Sequence, residues 1–241
     1  MSILGFGGAE LALVTVTMAA ATVVQVVTGV GLSLVLIPVL ALAAPAFVPA
    51  PALFAALGVM LTMVWGKLGL VDRGEIASGT AGLAIGTAAG VVALAFVDPA
   101  QLPRLFGILI LIATGMALAG LRFRLDLRTI FAVSLVSGVM GGLSGIHSPL
   151  IGIVYAGQPP DKVRATLGLY WIVAYVLFVG LYAMAGRFDF ADAGRAVLFV
   201  PGIALGAWVA ARVAGRVDAA RMRAAMLVVA VASGMMLIVR G

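Results

Sequence analysis

Two stretches of the sequence combine closely spaced glycines with hydroxyl side chains and lead to a proline. The first is Thr28-Gly29-Val30-Gly31-Leu32-Ser33, followed by Pro38, and the second runs from Ser137 to Pro149. Glycines at this density weaken a helix. A helix that resumes after such a break presents free N–H groups and the positive end of its dipole, which suit an anion. We therefore expect two helix breaks that bind a small anionic substrate.

The predicted substrate-binding residues are the glycines and hydroxyls of these stretches, together with the only histidine. They are Thr28, Gly29, Gly31, Ser33, Ser137, Gly138, Gly142, Ser144, Gly145, His147 and Ser148. The alternative is that the glycines merely let helices cross closely. His147 suits either an anion, with titration near neutral pH, or a hydrogen bond to a carbonyl at the helix break.

Two further polar residues are weaker candidates. Gln25 precedes the first break by three residues, and a bridge between neighbouring helices explains it as well as a place in a cavity does. Tyr170 lies at helical spacing with Trp171 and Tyr175 after the second break. Packing or interface anchoring is the main interpretation of these aromatics, and a substrate cage is the second.

The sequence contains few of the residue types that enzyme active sites use. Because it has no cysteine and one histidine, a thiol nucleophile and a structural zinc site are disfavoured. Gly142-Leu143-Ser144-Gly145 superficially resembles the serine motif of an intramembrane rhomboid protease, but that motif is paired with a histidine on another helix. We predict no enzyme activity, no catalytic residue, no metal and no cofactor, and no P-loop is present for ATP.

Composition places these motifs in a membrane. Hydrophobic residues make up 64% of the 241 residues and charged residues only 10%, and one apolar run follows another at the length that spans a bilayer. We predict helices at 10 to 27, 32 to 44, 50 to 65, 76 to 96, 103 to 120, 129 to 144, 148 to 156, 164 to 185, 193 to 211 and 220 to 239. The net charge of +6 lies in the loops, so it indicates orientation and gives no case for nucleic-acid binding.

The second half repeats the first. A shift of 120 aligns Asp72 with Asp192 and the pair Gly82 and Gly86 with Gly202 and Gly206. We attribute these paired glycines to close helix packing. The expected fold is an all-α integral membrane protein of two repeats, 1–121 and 122–241, in one integrated domain. Each repeat contains a broken or re-entrant helix pair followed by three transmembrane helices.

The positive charges predict the orientation. If each half crosses the membrane an odd number of times, eleven of the 15 charges lie on one side and four on the other. The first group is Lys67, Arg73, Arg122, Arg124, Arg128, Lys162, Arg164, Arg212, Arg216, Arg221 and Arg223, and the second is Arg104, Arg187, Arg195 and Arg240. An even number divides them eight against seven. We therefore expect inverted halves, with both termini outside the cytoplasm of an inner-membrane protein.

Both breaks resemble the glycine-rich, proline-ended signature of the sulfite exporter TauE/SafE family, as do the duplication and the charged step from Gln158 to Thr166. The resemblance implies movement of sulfite, a sulfonate or a related sulfur-containing anion, commonly outward. The first copy departs from the signature at Leu32, Ser33 and Leu34, where a longer glycine run is usual. We expect a secondary transporter that works by alternating access. The alternatives are transport of another small organic anion, a non-transport membrane assembly protein, or an intramembrane enzyme; the oligomeric state is left open.

Overall fold

The computed structural model describes residues 5–64, 68–119, 123–155, 158–213 and 216–240. These residues form eleven α-helices joined by short turns. In chain order they are α1 (Gly8–Thr28), α2 (Leu32–Ala43), α3 (Ala50–Val64), α4 (Arg73–Leu94), α5 (Leu102–Leu118), α6 (Leu127–Ser144), α7 (Ser148–Val154), α8 (Pro160–Met184), α9 (Phe190–Val197), α10 (Val200–Val213) and α11 (Ala219–Arg240).

Length and apolarity make this a multi-pass membrane protein. Six of the described helices, α1, α4, α5, α6, α8 and α11, contain stretches long and apolar enough to cross a bilayer, and α9 with α10 form a seventh candidate that is bent by 42°. Helices α2 and α3 are apolar but shorter, and at 1.5 Å per residue α2 reaches only about 18 Å. Helix α7 has seven residues.

The sequence predicted one helix over 193 to 211, and the structure divides that segment. Helix α9 ends at Val197 and α10 begins at Val200, with Pro201 as its second residue. Pro201 has no backbone N–H, and its ring clashes with a preceding helical turn. The corresponding position in α4 is Ala81, and α4 is unbroken. The two copies therefore differ at this bend.

Acidic residues begin several helices. Asp72, Asp126 and Asp189 are the N-caps of α4, α6 and α9, and each carboxylate accepts a hydrogen bond from a backbone N–H of the first turn. These caps satisfy groups that have no partner within the helix. The N–H of Thr129 lowers the pKa of Asp126 below its ordinary value. Charged groups thus mark where these helices start.

Glycines allow two pairs of helices to pack closely. Helix α4 packs along α6, and α1 packs along α10. A Cβ added at Gly138 or Gly142 of α6 would lie 2.5 or 2.6 Å from backbone carbonyls of α4, and one added at Gly202 or Gly206 of α10 would lie 2.6 Å from carbonyls of α1. The packing interpretation of the repeated pair is confirmed for Gly202 and Gly206, and their counterparts Gly82 and Gly86 on α4 approach backbone carbonyls of α6 even more closely.

The remaining long helices enclose the breaks. Helix α3 packs against α8, and α5 packs against α11. The short helix α2 contacts α1 and α11, while α7 contacts α6 and α5. Four large side chains of α8, Trp171, Tyr175, Phe178 and Tyr182, are almost completely buried. Helix α8 thus lines the interior beside both breaks.

Candidate functional site

The first break lies between α1 and α2 and depends on two glycines with positive φ. Gly29 has φ +80° and Gly31 has φ +108°, a region that side chains with a Cβ rarely adopt. Gln25 spans the gap, because its Nε2 donates to the carbonyl of Gly29 at 2.9 Å and its Oε1 accepts from the N–H of Leu32 at 3.0 Å. One buried amide therefore caps the end of α1 and the start of α2.

Both hydroxyl candidates of the first break are placed beside it. Thr28 Oγ1 lies 2.8 Å from the carbonyl oxygen of Val24 and accepts from the N–H of Val30 at 3.3 Å. Ser33 is 1% exposed in the first turn of α2. Thr28 is half-buried and, unlike Ser33, lines a large cavity.

The second break lies between α6 and α7, and hydroxyls hold it in place. Gly145 has φ +77°. Ser144 Oγ donates to the Met140 carbonyl at 2.9 Å and accepts from the N–H of Ile146 at 3.3 Å. Ser137 Oγ donates to the carbonyl of His147 at 2.6 Å. Since Ser137 lies well before the end of α6, the chain turns back along α6 at this break.

His147 is 1% exposed and sits among aromatic rings. Its ring centroid is 5.0 Å from those of Trp171 and Tyr175 and 4.7 Å from that of Phe178. Nδ1 lies 2.9 Å from the carbonyl oxygen of Gly145, which only accepts, so Nδ1 carries a proton. Nε2 is buried and has no hydrogen-bond partner among the described residues. In the neutral ring this Nε2 is an acceptor, and in the imidazolium it is a donor.

The hydrogen bonds at this break do not form a protease pair. Ser144 Oγ and His147 Nδ1 are each bonded to a backbone carbonyl of their own loop. A serine nucleophile needs a base within hydrogen-bond reach. In these contacts Ser144 and His147 are hydrogen-bonded to backbone carbonyls and not to each other.

Trp171 joins the two breaks. Its Nε1 donates to the Gly29 carbonyl at 3.3 Å, while its ring packs against His147. Tyr182, farther along α8, donates to the carbonyl of Gly142 at 2.9 Å. Tyr170, in contrast, donates to Ser134 of α6 at 3.0 Å. Sequence reasoning did not identify the contacts of Trp171 and Tyr182, although aromatic side chains recurring at 171, 175, 178 and 182 are a signal for one buried helix face.

Not every predicted residue reaches the cavity. Gly138 and Gly142 face the backbone of α4, and Ser137, Ser144 and His147 are buried near the second break. The backbone of Ser148 starts α7, and its side chain lies outside the described part of the structure.

A cavity of about 1010 Å³ adjoins the first break. It lies among α1, α5, α7, α8 and α11, and its lining includes Thr28 and Val30 at the break, Tyr155 after α7, and Arg164 and Arg223. Most of its other lining side chains are apolar. The first break is therefore accessible from a space of small-molecule size.

Tyr155 of the cavity lining belongs to a cluster of charged and phenolic groups. Glu75 of α4 is 7% exposed and accepts from Lys162 Nζ at 2.7 Å and from the Tyr155 hydroxyl at 2.8 Å. Burial and the Glu75 carboxylate raise the pKa of Tyr155. The cluster joins the start of α4, the start of α8 and the residue after α7.

A family model described as Sulfite exporter TauE/SafE matches residues 13–237. The chain belongs to the TauE/SafE family. This match confirms the family resemblance seen in the two glycine-rich stretches, and it extends from within α1 to within α11, so it covers both breaks. No curated protein and no solved structure gives a significant match to the chain.

The TauE/SafE family is a family of membrane transporters, and its description names sulfite export. This chain is therefore a member of a membrane transporter family. A transporter family is consistent with the prediction that the chain is not an enzyme. Among the described residues, no group of three or more histidine, cysteine or acidic side chains is placed to hold a metal ion.

Proposed function

We propose that this chain is a secondary transporter of the inner membrane that exports sulfite, a sulfonate or a related small sulfur-containing anion. The anion binds between the two glycine-rich breaks, and the two halves rock around it in alternating access. The single observation that carries this proposal is the position of Trp171, which contacts the Gly29 carbonyl of one break and the His147 ring of the other.

Reciprocal packing supports two inverted repeats, 1–121 and 122–241. Helix α4 of the first half packs on α6, the first helix of the second half, while α10 of the second half packs on α1, the first helix of the first half. The pairs α3 with α8 and α5 with α11 join elements that correspond in the two halves. Inverted halves with broken helices are a common basis for alternating access.

The geometry indicates how an anion would be held at the first break. The start of α2 faces the break. Because Gln25 already accepts the hydrogen bond from the N–H of Leu32, the attraction for an anion comes from the positive end of the helix dipole. Thr28 supplies a hydroxyl on the cavity side. Because this hydroxyl is hydrogen-bonded to backbone groups, binding requires it to rotate toward the anion.

His147 contributes differently at the second break. Its buried Nε2 has no partner among the described residues, and leaving such a group unsatisfied costs about 1–3 kcal/mol. Nε2 of the neutral ring accepts a hydrogen bond from a proton-bearing group of the substrate, such as the O–H of a monoprotonated oxyanion. A fully deprotonated anion is bound there only by the imidazolium, so His147 offers a route for coupling transport to protons.

The membrane potential supplies a driving force. An inside-negative potential does work of about 2.3 kcal/mol per charge per 100 mV, and for an anion this work favours export. The potential alone is therefore sufficient to drive export, and proton coupling through His147 is the alternative route. The positive-inside count places both termini outside.

Flux into or out of proteoliposomes tests the proposal. The purified protein is reconstituted under a defined potential and offered sulfite, sulfate, thiosulfate, small sulfonates and carboxylates. We expect selective, potential-dependent flux of a sulfur-containing anion. Absence of flux for every anion, in protein shown to be folded and inserted, would contradict the proposal, and selective carboxylate flux would replace its substrate.

A further inference from the structure

Two arginines line the cavity without a partner among the described residues. Arg164 lies in the first turns of α8 and Arg223 in the first turns of α11, and both are half-buried. Three other described cations are engaged: Lys162 pairs with Glu75 at 2.7 Å, Arg221 with Asp218 at 3.7 Å, and Arg212 stacks 3.5 Å above Trp208. Arg164 and Arg223 differ from these three because they line the cavity with no such partner among the described residues.

Such a pair attracts a negatively charged ligand. A half-buried cation loses part of its hydration, and its interaction with an opposite charge strengthens as the surroundings become less polar. The guanidinium group presents five donors in a planar fork that fits the oxygens of carboxylate, sulfonate or phosphate groups. The two arginines thus provide a recognition element for an oxyanion.

The cavity walls are apolar over much of their extent. Ala117 and Leu118 of α5 and Leu227, Val228, Val231 and Met235 of α11 belong to the lining. A volume of about 1010 Å³ is that of a site for a sizeable organic ligand, far larger than an inorganic oxyanion with four or five heavy atoms requires. The walls fit a carbon skeleton attached to the anionic group.

We propose that Arg164 and Arg223 bind the anionic head of an amphiphilic organic anion whose apolar part lies on α5 and α11. This inference deepens the proposed function and rests on it for the passage that follows binding. Arg223 also lines a small adjoining void beside Gly31. The pair therefore selects the ligand near the first break and delivers its head group toward it.

An anionic lipid has the same head-group chemistry, and the geometry favours a soluble anion. The lining of the cavity extends from the two arginines to Thr28 and Val30, so a ligand held by the arginines also reaches the first break. A transported ligand needs a continuous space between the arginines and the first break, and this cavity provides it.

Binding measurements in lipid nanodiscs of neutral phosphatidylcholine test the inference separately from transport. The probe is hexane-1-sulfonate, measured by titration calorimetry with the full chain. We expect Arg164→Gln and Arg223→Gln each to weaken binding about tenfold or more, since each removes charge-assisted hydrogen bonds. Arg221→Gln is the matched control, because it removes the same charge two residues from Arg223 outside the cavity lining, and its affinity should stay within about twofold of the original.

A second series needs no variant. From methane- to hexane-1-sulfonate, the dissociation constant should fall by about two- to fourfold per methylene, since a fully buried methylene is worth about fourfold in affinity. Arg164→Lys and Arg223→Lys keep the positive charge but lose the planar fork of guanidinium donors, so they should bind with intermediate affinity. Because they keep the charge, they also provide a test of the site if the glutamine variants fail to fold.

Three results would overturn the inference. These are equal effects of the cavity variants and Arg221→Gln, an affinity that does not depend on chain length, and loss of sulfonate binding by competition when phosphatidylglycerol is added to the nanodiscs. The flux assay decides transport independently: a chain that binds but moves no anion contradicts the proposed function and leaves the arginine site standing. A chain that transports sulfite yet shows none of the expected binding contradicts only the arginine site.

Discussion

At the scale of single residues, Gln25 organises the first break. Its amide satisfies the carbonyl of Gly29 and the N–H of Leu32 while being 1% exposed. Gln25→Leu leaves both backbone groups buried without that partner, which should lower the free energy of unfolding by about 1–3 kcal/mol and remove anion flux. Thermal unfolding in detergent and proteoliposome flux measure the two effects. Gln101→Leu, at an exposed turn, should change neither, and normal flux in Gln25→Leu would contradict this role.

Gly29 allows a matched test of the break itself. Gly29 and Gly186 both have positive φ, +80° and +67°, so alanine at either should cost about 1–2 kcal/mol of backbone strain. A Cβ at Gly29 would lie 3.3 Å from Val163, whereas one at Gly186 would meet nothing within 4 Å. We expect similar losses of stability, with flux reduced at least tenfold only in Gly29→Ala. Equal flux in the two variants would remove Gly29 from the site.

At the scale of residues, the sequence predicted where both breaks lie but not every side chain that hydrogen-bonds to them. Glycine density marked Gly29, Gly31 and Gly145, because positive φ is a local requirement. The bond of Trp171 to the Gly29 carbonyl joins residues 142 positions apart, so it depends on how α8 packs beside the break and leaves no local signal in the sequence. Gln25 is bonded to residues four and seven positions away, and its sequence position alone indicated a candidate beside the break. Gly142 was selected as a binding residue, yet a Cβ there would lie 2.6 Å from the Thr87 carbonyl, so packing against α4 already requires glycine and substitution there does not test binding.

At the scale of helices, Glu75 connects three elements. Its carboxylate accepts from Lys162 of α8 and from Tyr155 after α7. Glu75→Gln leaves the Lys162 ammonium, whose side chain is 30% exposed, without its charge partner. Because this exposure screens the interaction, we expect a loss of about 1–2 kcal/mol rather than the 3–5 kcal/mol typical of a fully buried pair.

The measurement is thermal unfolding of Glu75→Gln beside Asp218→Asn. Asp218 pairs with Arg221, whose side chain is 90% exposed, so this control should unfold close to the original temperature. Indistinguishable melting of the two variants would show that the cluster does not stabilise the junction of α4 and α8.

Helix positions were predictable because bilayer-length apolar runs are a strong signal. Nine of the ten predicted helices coincide with described helices to within about four residues at each end. The exception is the segment 193 to 211, which forms the two helices α9 and α10. Its sequence did not distinguish one kinked helix from two helices, because a single proline such as Pro201 is compatible with both. The partners of each helix were not predictable from its own sequence.

At the scale of the whole molecule, topology gives the next prediction. The chain has no cysteine, so single cysteines report on orientation without background. We expect Gly186→Cys to react with a membrane-impermeant maleimide added outside intact cells, and Phe123→Cys to react only after lysis. The reverse pattern would invert the predicted orientation, and labelling of both from outside would contradict the odd number of crossings per half.

The most direct test of the central claim is the initial rate of sulfite efflux from proteoliposomes as the imposed potential is varied. Work of about 2.3 kcal/mol per charge per 100 mV corresponds to an equilibrium gradient of about fiftyfold for a monovalent anion. We predict that an inside-negative potential accelerates efflux, that collapse of the potential slows it, and that Gly29→Ala, but not Gly186→Ala, reduces it at least tenfold. Efflux that is absent, or the same in the original chain and Gly29→Ala, would contradict transport of an anion through the two helix breaks.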